Sequence, residues 1–306
     1  MFLHSITGLL ANLCLFCQVG ITALIRGEIS IVQSSMVGSI LSSILLVRTP
    51  YPPVSTLPLL KIMEILGSCF FSAGYDKAVV KFNMDVTSIM SSLMIVASAS
   101  LIVPSVLYAS FESPEPSDSE DPVLVLSYIA SIILLIFYVI YLYFQLKSHA
   151  HLFKDSNAGE EAEVHKLDGW AASVVLILAT VGVTVCSDYL VDSIDGIVEA
   201  SHISRSFIGL IIVPIVGNAG EYVTTVKAAM TNKLDLAIGI VVGSTLQIAL
   251  FVTPFLVILG WIIGQNMELR FDPFETTVFF LAVVVVNCLI RDGRTNYFEG
   301  ALLVGT

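Results

Sequence analysis

Apolar runs long enough to cross a hydrocarbon layer recur along the chain. They lie at about 7–25, 29–47, 86–110, 123–146, 170–190, 206–230, 234–264 and 274–290, and a further run opens near Tyr297. A bilayer core about 30 Å thick is spanned by about 20 helical residues. Helices also satisfy their own backbone where no water is present, so each run is predicted as a helix and about eight as complete spans. Polar punctuation separates them. Residues 48–65 (RTPYPPVSTLPLLKIMEI) carry four prolines and interrupt what reads as one helix, and 111–122 carry five acids and no base. Residues 147–169 are polar and mixed in charge, a boundary between two halves. At the last full run Asp272 is placed to cap a helix, with Pro273 at its first position and Glu275 completing a capping box, a structural role.

Composition narrows the class. With 56% of 306 residues hydrophobic and 13% charged, the fold class is an all-α polytopic membrane protein in a lipid bilayer. A net charge of −11 argues against nucleic acid as a partner. The five cysteines lie in apolar stretches, and the Cys14–Cys17 CxxC lacks the βαβ context of a redox motif. The first residues, MFLHSITGLL, lack the basic region of a signal peptide. No HExxH or GxSxG occurs and the histidines fall in loops or near span ends, so no catalytic residues are assigned and no enzyme is expected. If successive loops alternate sides, one side receives three bases, Arg26, Arg205 and Arg270. The other receives the remaining eleven: Arg48, Lys61, Lys77, Lys81, Lys147, Lys154, Lys166, Lys227, Lys233, Arg291 and Arg294. The base-rich side faces the cytosol, which places 147–169 there and 111–122 in the lumen or outside.

Sliding the chain by 205 positions sets GITALIRGEISIVQSSMVGSILSSILLV, from Gly20, on TVKAAMTNKLDLAIGIVVGSTLQIALFV, from Thr225, without a gap. Ala23, Val37, Gly38, Ser39, Leu41, Leu45 and Val47 meet identical residues. An odd number of predicted helices separates the copies, so they enter the membrane from opposite faces. That inverted repeat is the plan of transporters that bind at the repeat interface.

The candidate site lies in the second copy. Glu221 stands inside an apolar run, directly after Gly217-Asn218-Ala219-Gly220, and the following run carries Gly243-Ser244 and Gln247. A carboxylate at bilayer depth is costly and by default functional, the alternative being a structural hydrogen bond between helices. Small neighbours let backbones approach, and Pro214 with the glycines predicts a broken helix lining a cavity. Asp188 is the other acid inside a clear span. With Asp192, Asp195 and Glu199 it forms one helix stripe toward the outer mouth, Asp188 nearest the site; a solvated helix end is the competing reading.

These stretches resemble the vacuolar calcium/proton exchangers of the calcium/cation antiporter superfamily. The likeness is carried by SDYLVDSIDGIVE (187–199), FIGLIIVPIVGNAGEYVT (207–224), LDLAIGIVVGSTLQIALFVTPFLVILGWIIG (234–264) and FDPFETTVFFLAVVVVNCLIRDGRTNYFEGALL (271–303). The resemblance implies two inverted five-helix repeats joined by a cytosolic segment. On that plan residues 1–146 are a truncated first repeat with an insertion at 48–65, and 147–169 is the linker. Residues 170–306 are the second repeat, its last helix cut short. The implied activity is secondary antiport of Ca²⁺, or a related cation, into an acidic vacuole-like store against H⁺, with no cofactor. Selectivity for Mn²⁺, Na⁺ or K⁺, and a non-transporting membrane subunit, are the alternatives.

Ca²⁺ wants six to eight oxygens. Glu221, Asn218 and Gln247 are the expected metal ligands, while Gly217, Ser244, Ser39 and Asp188 complete the ion- and proton-binding set. Proton and ion compete for the same carboxylate, because burial favours the protonated form and a bound cation the ionised one. The sequence departs from the family where the first-repeat glutamate is due: Phe16 is the partner of Glu221 in the repeat, and Tyr222 stands where the family has histidine. With Val47 and Leu66-Gly67 reading as two ends of one motif, the expectation is an incomplete or mis-spliced member whose residues 1–306 do not pump Ca²⁺ by themselves. Glu28 is the alternative first-repeat acid.

Overall fold

A computed structural model describes residues 16–44, 65–74, 79–110, 122–150, 152, 169–201, 204–231 and 233–305. The segments 48–64, 111–121 and 153–168, singled out above by composition, lie outside these residues, as do 1–15. The described part of each apolar run is helical, and α3 is a helix outside the predicted runs: α1 (Phe16–Ile25), α2 (Ile29–Ile44), α3 (Ile65–Gly74), α4 (Met84–Ser110) and α5 (Pro122–Tyr143) come first. Then follow α6 (Gly169–Ser201), the short α7 (Arg205–Phe207), α8 (Val213–Met230), α9 (Leu234–Gln247), α10 (Thr253–Ile263), α11 (Pro273–Ile290) and α12 (Tyr297–Gly305). Among the described residues five helices have spanning length and apolarity, and the bent segment 205–230 makes six. Of the first two runs, residues 7–15 and 45–47 lie outside the described residues, and the described parts form the shorter apolar helices α1 and α2.

Wide π-helical turns interrupt the path at Phe144–Ser148, Ile208–Ile212 and Ile248–Val252. Two of them run directly up to Pro214 and Pro254, whose rings cannot donate to the ladder and displace it. The expected break of the helix around Gly217 is a 45° bend between the segments 205–215 and 220–230.

The sequence repeat is a structural one. In both copies a helix ends and another restarts four residues on: α1 ends at Ile25 and α2 starts at Ile29, while α8 ends at Met230 and α9 starts at Leu234. Glu28 of the first turn pairs with Arg205 at 2.9 Å, at the start of the segment whose far end enters the second turn. The two turns therefore lie at opposite ends of that segment, as an inverted repeat requires.

Both ends are clamped across the halves. At the first-turn end the extended residues 265–272 lie on the first half, with Met267, Leu269 and Phe271 buried alternately. Ser105 of α4 donates to the Leu269 carbonyl (3.2 Å) and accepts from the Phe271 amide (3.0 Å), Ser127 of α5 accepts from the Leu269 amide (2.9 Å), and Gln33 donates to the Glu268 carbonyl (2.8 Å). At the opposite end two strands, β1 (Val80–Lys81) and β2 (Arg294–Thr295), pair antiparallel, Val80 facing Thr295. The central post is the α9–α10 span, 56% buried against 17% for the span in α6. Elsewhere apolar side chains face outward as lipid contact demands: Ile132, Ile136, Val139 and Ile140 of α5 are all exposed.

One crossing brings the halves together. A methyl placed on Gly38 of α2 would sit 2.2 Å from the Leu210 carbonyl oxygen, and one on Gly209 3.0 Å from that of Ile31. Only glycine permits backbones this close. Gly38→Ala is accordingly expected to cost at least about 1–3 kcal/mol of stability by overpacking. Gly239→Ala, with nothing within 4 Å of the added methyl, should be neutral or stabilise by up to about 1 kcal/mol. Thermal denaturation of the detergent-solubilised protein compares the two, and equal midpoints would contradict this crossing.

Candidate ion-binding site

The crossing sets Asn218 of α8 against the polar edge of α2. Asn218 is 3% exposed, and Ser39, Ser42 and Ser43 are equally enclosed. The Asn218 amide nitrogen donates to the Ser39 carbonyl at 3.2 Å, to Ser43 Oγ at 3.3 Å and to Ser42 Oγ. Because a backbone carbonyl can only accept, the nitrogen must face α2, and that fixes the amide's orientation. Its oxygen Oδ1 is left buried without a hydrogen-bond partner among the described residues. A stranded acceptor costs about 1–3 kcal/mol, a cost that a cation on Oδ1 would offset.

Glu221 follows Asn218 by three residues, one turn along the same face. Its side chain is half-buried with one carboxylate oxygen fully enclosed, and its carbonyl accepts from the hydroxyls of Thr224 (2.9 Å) and Thr225 (2.5 Å). Gly217 is buried beside Asn218. Gln247 is half-buried at the last turn of α9, and its side chain hydrogen-bonds the hydroxyl of Tyr138 on α5. The Tyr138 ring packs 5.1 Å from that of Phe251, one turn beyond Gln247. Ser244 is buried, but its hydroxyl turns back to the Val241 carbonyl at 3.0 Å, and Ser39 Oγ likewise donates to the Ser35 carbonyl at 2.6 Å. Both serines therefore keep lone pairs and not hydrogens for a ligand.

The structure thus joins Asn218 directly to the Ser39 turn of α2 and puts Glu221 on the same face. Asp188 belongs to a different contact, on α6, where it is exposed and accepts from Thr22 of α1 at 3.4 Å. Asp192 forms an ion pair with Arg26, while the side chains of Asp195 and Glu199 lie outside the described residues. Phe16 is a core residue, 1% exposed. Glu28, the alternative first-repeat acid, is held by both of its oxygens to Arg205 at 2.9–3.0 Å. Tyr222 packs against the core and Lys227 is exposed.

Sequence reasoning passed over Tyr138, whose only trace is a hydroxyl inside an apolar run, and Ser43, one of five buried serines on α2. It also read the last cap too narrowly. Asp272 does accept from the Phe274 amide (2.9 Å), but Glu275, 5% exposed, reaches across to α2 and accepts from Ser34 Oγ at 2.8 Å. Among the described residues no three His, Cys, Asp or Glu side chains converge on a metal position. The site is one carboxylate amid amide and hydroxyl oxygens, suited to a hard cation that is readily released.

Known proteins align with this picture. The model of the sodium/calcium exchanger protein family matches residues 57–147 and 171–306. A vacuolar calcium ion transporter of Schizosaccharomyces pombe is 40% identical over 287 residues, covering 94% of this chain and 65% of the relative. Vacuolar cation/proton exchanger 2 of Arabidopsis thaliana is 37% identical over 297 residues, covering 94% and 62%. The chain spans just under two thirds of the length of these relatives. Native YfkE superposes with a TM-score of 0.76 at 32% identity, covering 96% of this chain and 78% of its own; its selenium-substituted crystal form is described as a Ca²⁺/H⁺ antiporter protein.

The contact between halves predicts a cross-link. With Ser42→Cys and Asn218→Cys together and a protease site placed in 153–168, the cleaved halves are expected to migrate as one species after oxidation. Pairing Ser42→Cys with Gly182→Cys should let them separate. Separation in both cases on non-reducing gels would contradict the α2–α8 contact.

Proposed function

Because the chain belongs to the sodium/calcium exchanger protein family, an integral membrane family of transporters and not an enzyme class, we propose that the Asn218–Glu221 face is the ion site of a cation/proton antiporter. The cation is Ca²⁺, carried from cytosol into an acidic, vacuole-like store. The observation that carries this reading is the buried, stranded Oδ1 of Asn218 one turn from the Glu221 carboxylate. Amide oxygens supply ligands without charge, and the carboxylate supplies charge that a proton can replace. Exchange then needs no separate proton machinery. Glu221 cannot hold a proton and a fully coordinated cation at once, so each displaces the other at the repeat interface. Gln247 and the lone pairs of Ser39 and Ser244 complete the oxygen set, and the names of the relatives support Ca²⁺ and H⁺ as the exchanged ions.

Phe16 qualifies the activity of this polypeptide. A phenyl ring in the core where the repeat puts a second carboxylate leaves a divalent ion half-neutralised, a penalty of several kcal/mol for a buried charge. Residues 1–306 are therefore proposed to bind the cation weakly and not to accumulate it. The loop 147–169 is proposed to be cytosolic on the asymmetry of Lys and Arg, and residues 1–146 and 170–306 to act as the two repeats.

Three measurements test these proposals. In weakly buffered detergent solution, adding Ca²⁺ should release protons, and Glu221→Gln should abolish that release while leaving the melting temperature nearly unchanged. Proton release that survives the substitution would place the coupling carboxylate elsewhere. In sealed vesicles with an acid interior the polypeptide should show no ⁴⁵Ca accumulation; uptake collapsed by a protonophore would overturn the role given to Phe16. A tag inserted in 153–168 should be reached by antibody after selective permeabilisation of the plasma membrane alone, and labelling that requires the store membrane to be opened as well would reverse the orientation.

A further inference from the structure

We propose that α1 and α6 hold a second cation-binding station, separate from the Glu221 site, built from the Asp188 carboxylate, the Gln18 side-chain oxygen and the hydroxyl oxygens of Thr22 and Thr184. The two helices meet through three polar rungs. Gln18 Nε2 donates to Thr184 Oγ1, Thr22 Oγ1 donates to Asp188 Oδ1 at 3.4 Å, and Arg26 forms an ion pair with Asp192. Every rung joins residues 166 apart, and the rungs advance by four on both helices. A constant offset means that α1 and α6 run in parallel. A step of four keeps the rungs on one face, so they form a continuous polar seam.

The hydrogen-bond inventory of the two inner rungs is unbalanced. Thr184 donates its hydrogen to the Thr180 carbonyl at 2.9 Å and so meets Gln18 only as an acceptor. Thr22 gives its hydrogen to Asp188. Gln18 Oε1 is buried and has no hydrogen-bond partner among the described residues. Acceptors thus outnumber donors on adjacent turns, inside the apolar span Ile177–Ile194. Stranded buried acceptors are rare and ask for an explanation, and a carboxylate at this depth is costly unless it has a use. A cation between the rungs answers both, since it binds oxygen lone pairs and neutralises Asp188. The outer rung does not oppose it, because Asp192 cancels the charge of Arg26.

One carboxylate and three neutral oxygens define the ligand class: a hard cation held loosely, with a dissociation constant for a divalent ion on the order of 10⁻⁴–10⁻³ M. Such affinity suits a station that an ion visits on its way along the seam.

The test uses Mn²⁺ as the probe, read by electron paramagnetic resonance on the full chain in lipid nanodiscs. Glu221→Gln removes the central carboxylate and is expected to leave one saturable Mn²⁺ site. In that background Asp188→Asn should weaken the remaining site by about tenfold or more, and Gln18→Glu, which adds a second carboxylate, should tighten it by about tenfold, as charge count sets affinity. Loss of all Mn²⁺ binding in Glu221→Gln overturns the station, as does a remaining site indifferent to both seam substitutions. Binding that Glu221→Gln leaves untouched but Asp188→Asn removes would instead overturn the central site and keep the station. Should Asp188→Asn fail to fold, the affinity of the Gln18→Glu variant decides.

Discussion

The structure depends on two backbones passing within contact distance inside a membrane. Where α2 crosses the segment leading into α8, Gly38 lies under the Leu210 carbonyl and Gly209 over Ile31. Lipid supplies no hydrophobic force to press helices together, so their association rests on close packing and on hydrogen bonds made at short range. Only because these backbones approach so closely can a side chain as short as asparagine reach the Ser39 carbonyl on the other helix. A leucine-lined interface would hold the helices further apart and leave Asn218 with nothing to bond. The packing that joins the halves is therefore also what orients the amide, nitrogen to α2 and oxygen to the interior.

That orientation gives the site its chemistry. An amide whose nitrogen is already engaged offers an oxygen at no further cost in ordering, which is the advantage of pre-organisation. Around it the charge is kept low: the described residues place Glu221 here, while Glu28 and Asp192 are paired with arginines at the first-turn end. On the proposed reading of this face, an ion of high charge density would bind loosely enough to leave and a proton would compete with it. A cluster of several carboxylates would hold a divalent cation more tightly and release it more slowly.

Much of this was legible in the chain. Helix positions followed from the apolar runs, and the relation between the two copies from the alignment of Gly20 with Thr225. Glu221 and Asn218 were conspicuous because polar groups at bilayer depth are expensive. What stayed hidden were partners that depend on which helices touch. Nothing in the neighbourhood of Tyr138 announces Gln247, 109 positions away, and Glu275 reads locally as a capping residue although its carboxylate also takes the hydroxyl of Ser34. The acidic stripe from Asp188 was readable as a stripe. Its partners on α1 were not, since Gln18, Thr22 and Arg26 match it only once two parallel helices stand in register.

The uneven burial of the spans links these contacts to motion. The α9–α10 span is 56% buried, with α8, α2, α4 and α5 packed around it. The span in α6 is 17% buried and meets α1 through a row of polar rungs. Such a seam resists displacement differently from a packed core. Interdigitated side chains must unpack before they slide, whereas rungs repeating every four residues can exchange partners after a shift of one helical turn, about 6 Å. Thr22 would then face Thr184 or Asp192 in place of Asp188, and hydroxyl–hydroxyl or hydroxyl–carboxylate bonds would replace those lost. Among the described spans the least buried one is thus also the one whose polar contacts would be re-made after such a shift.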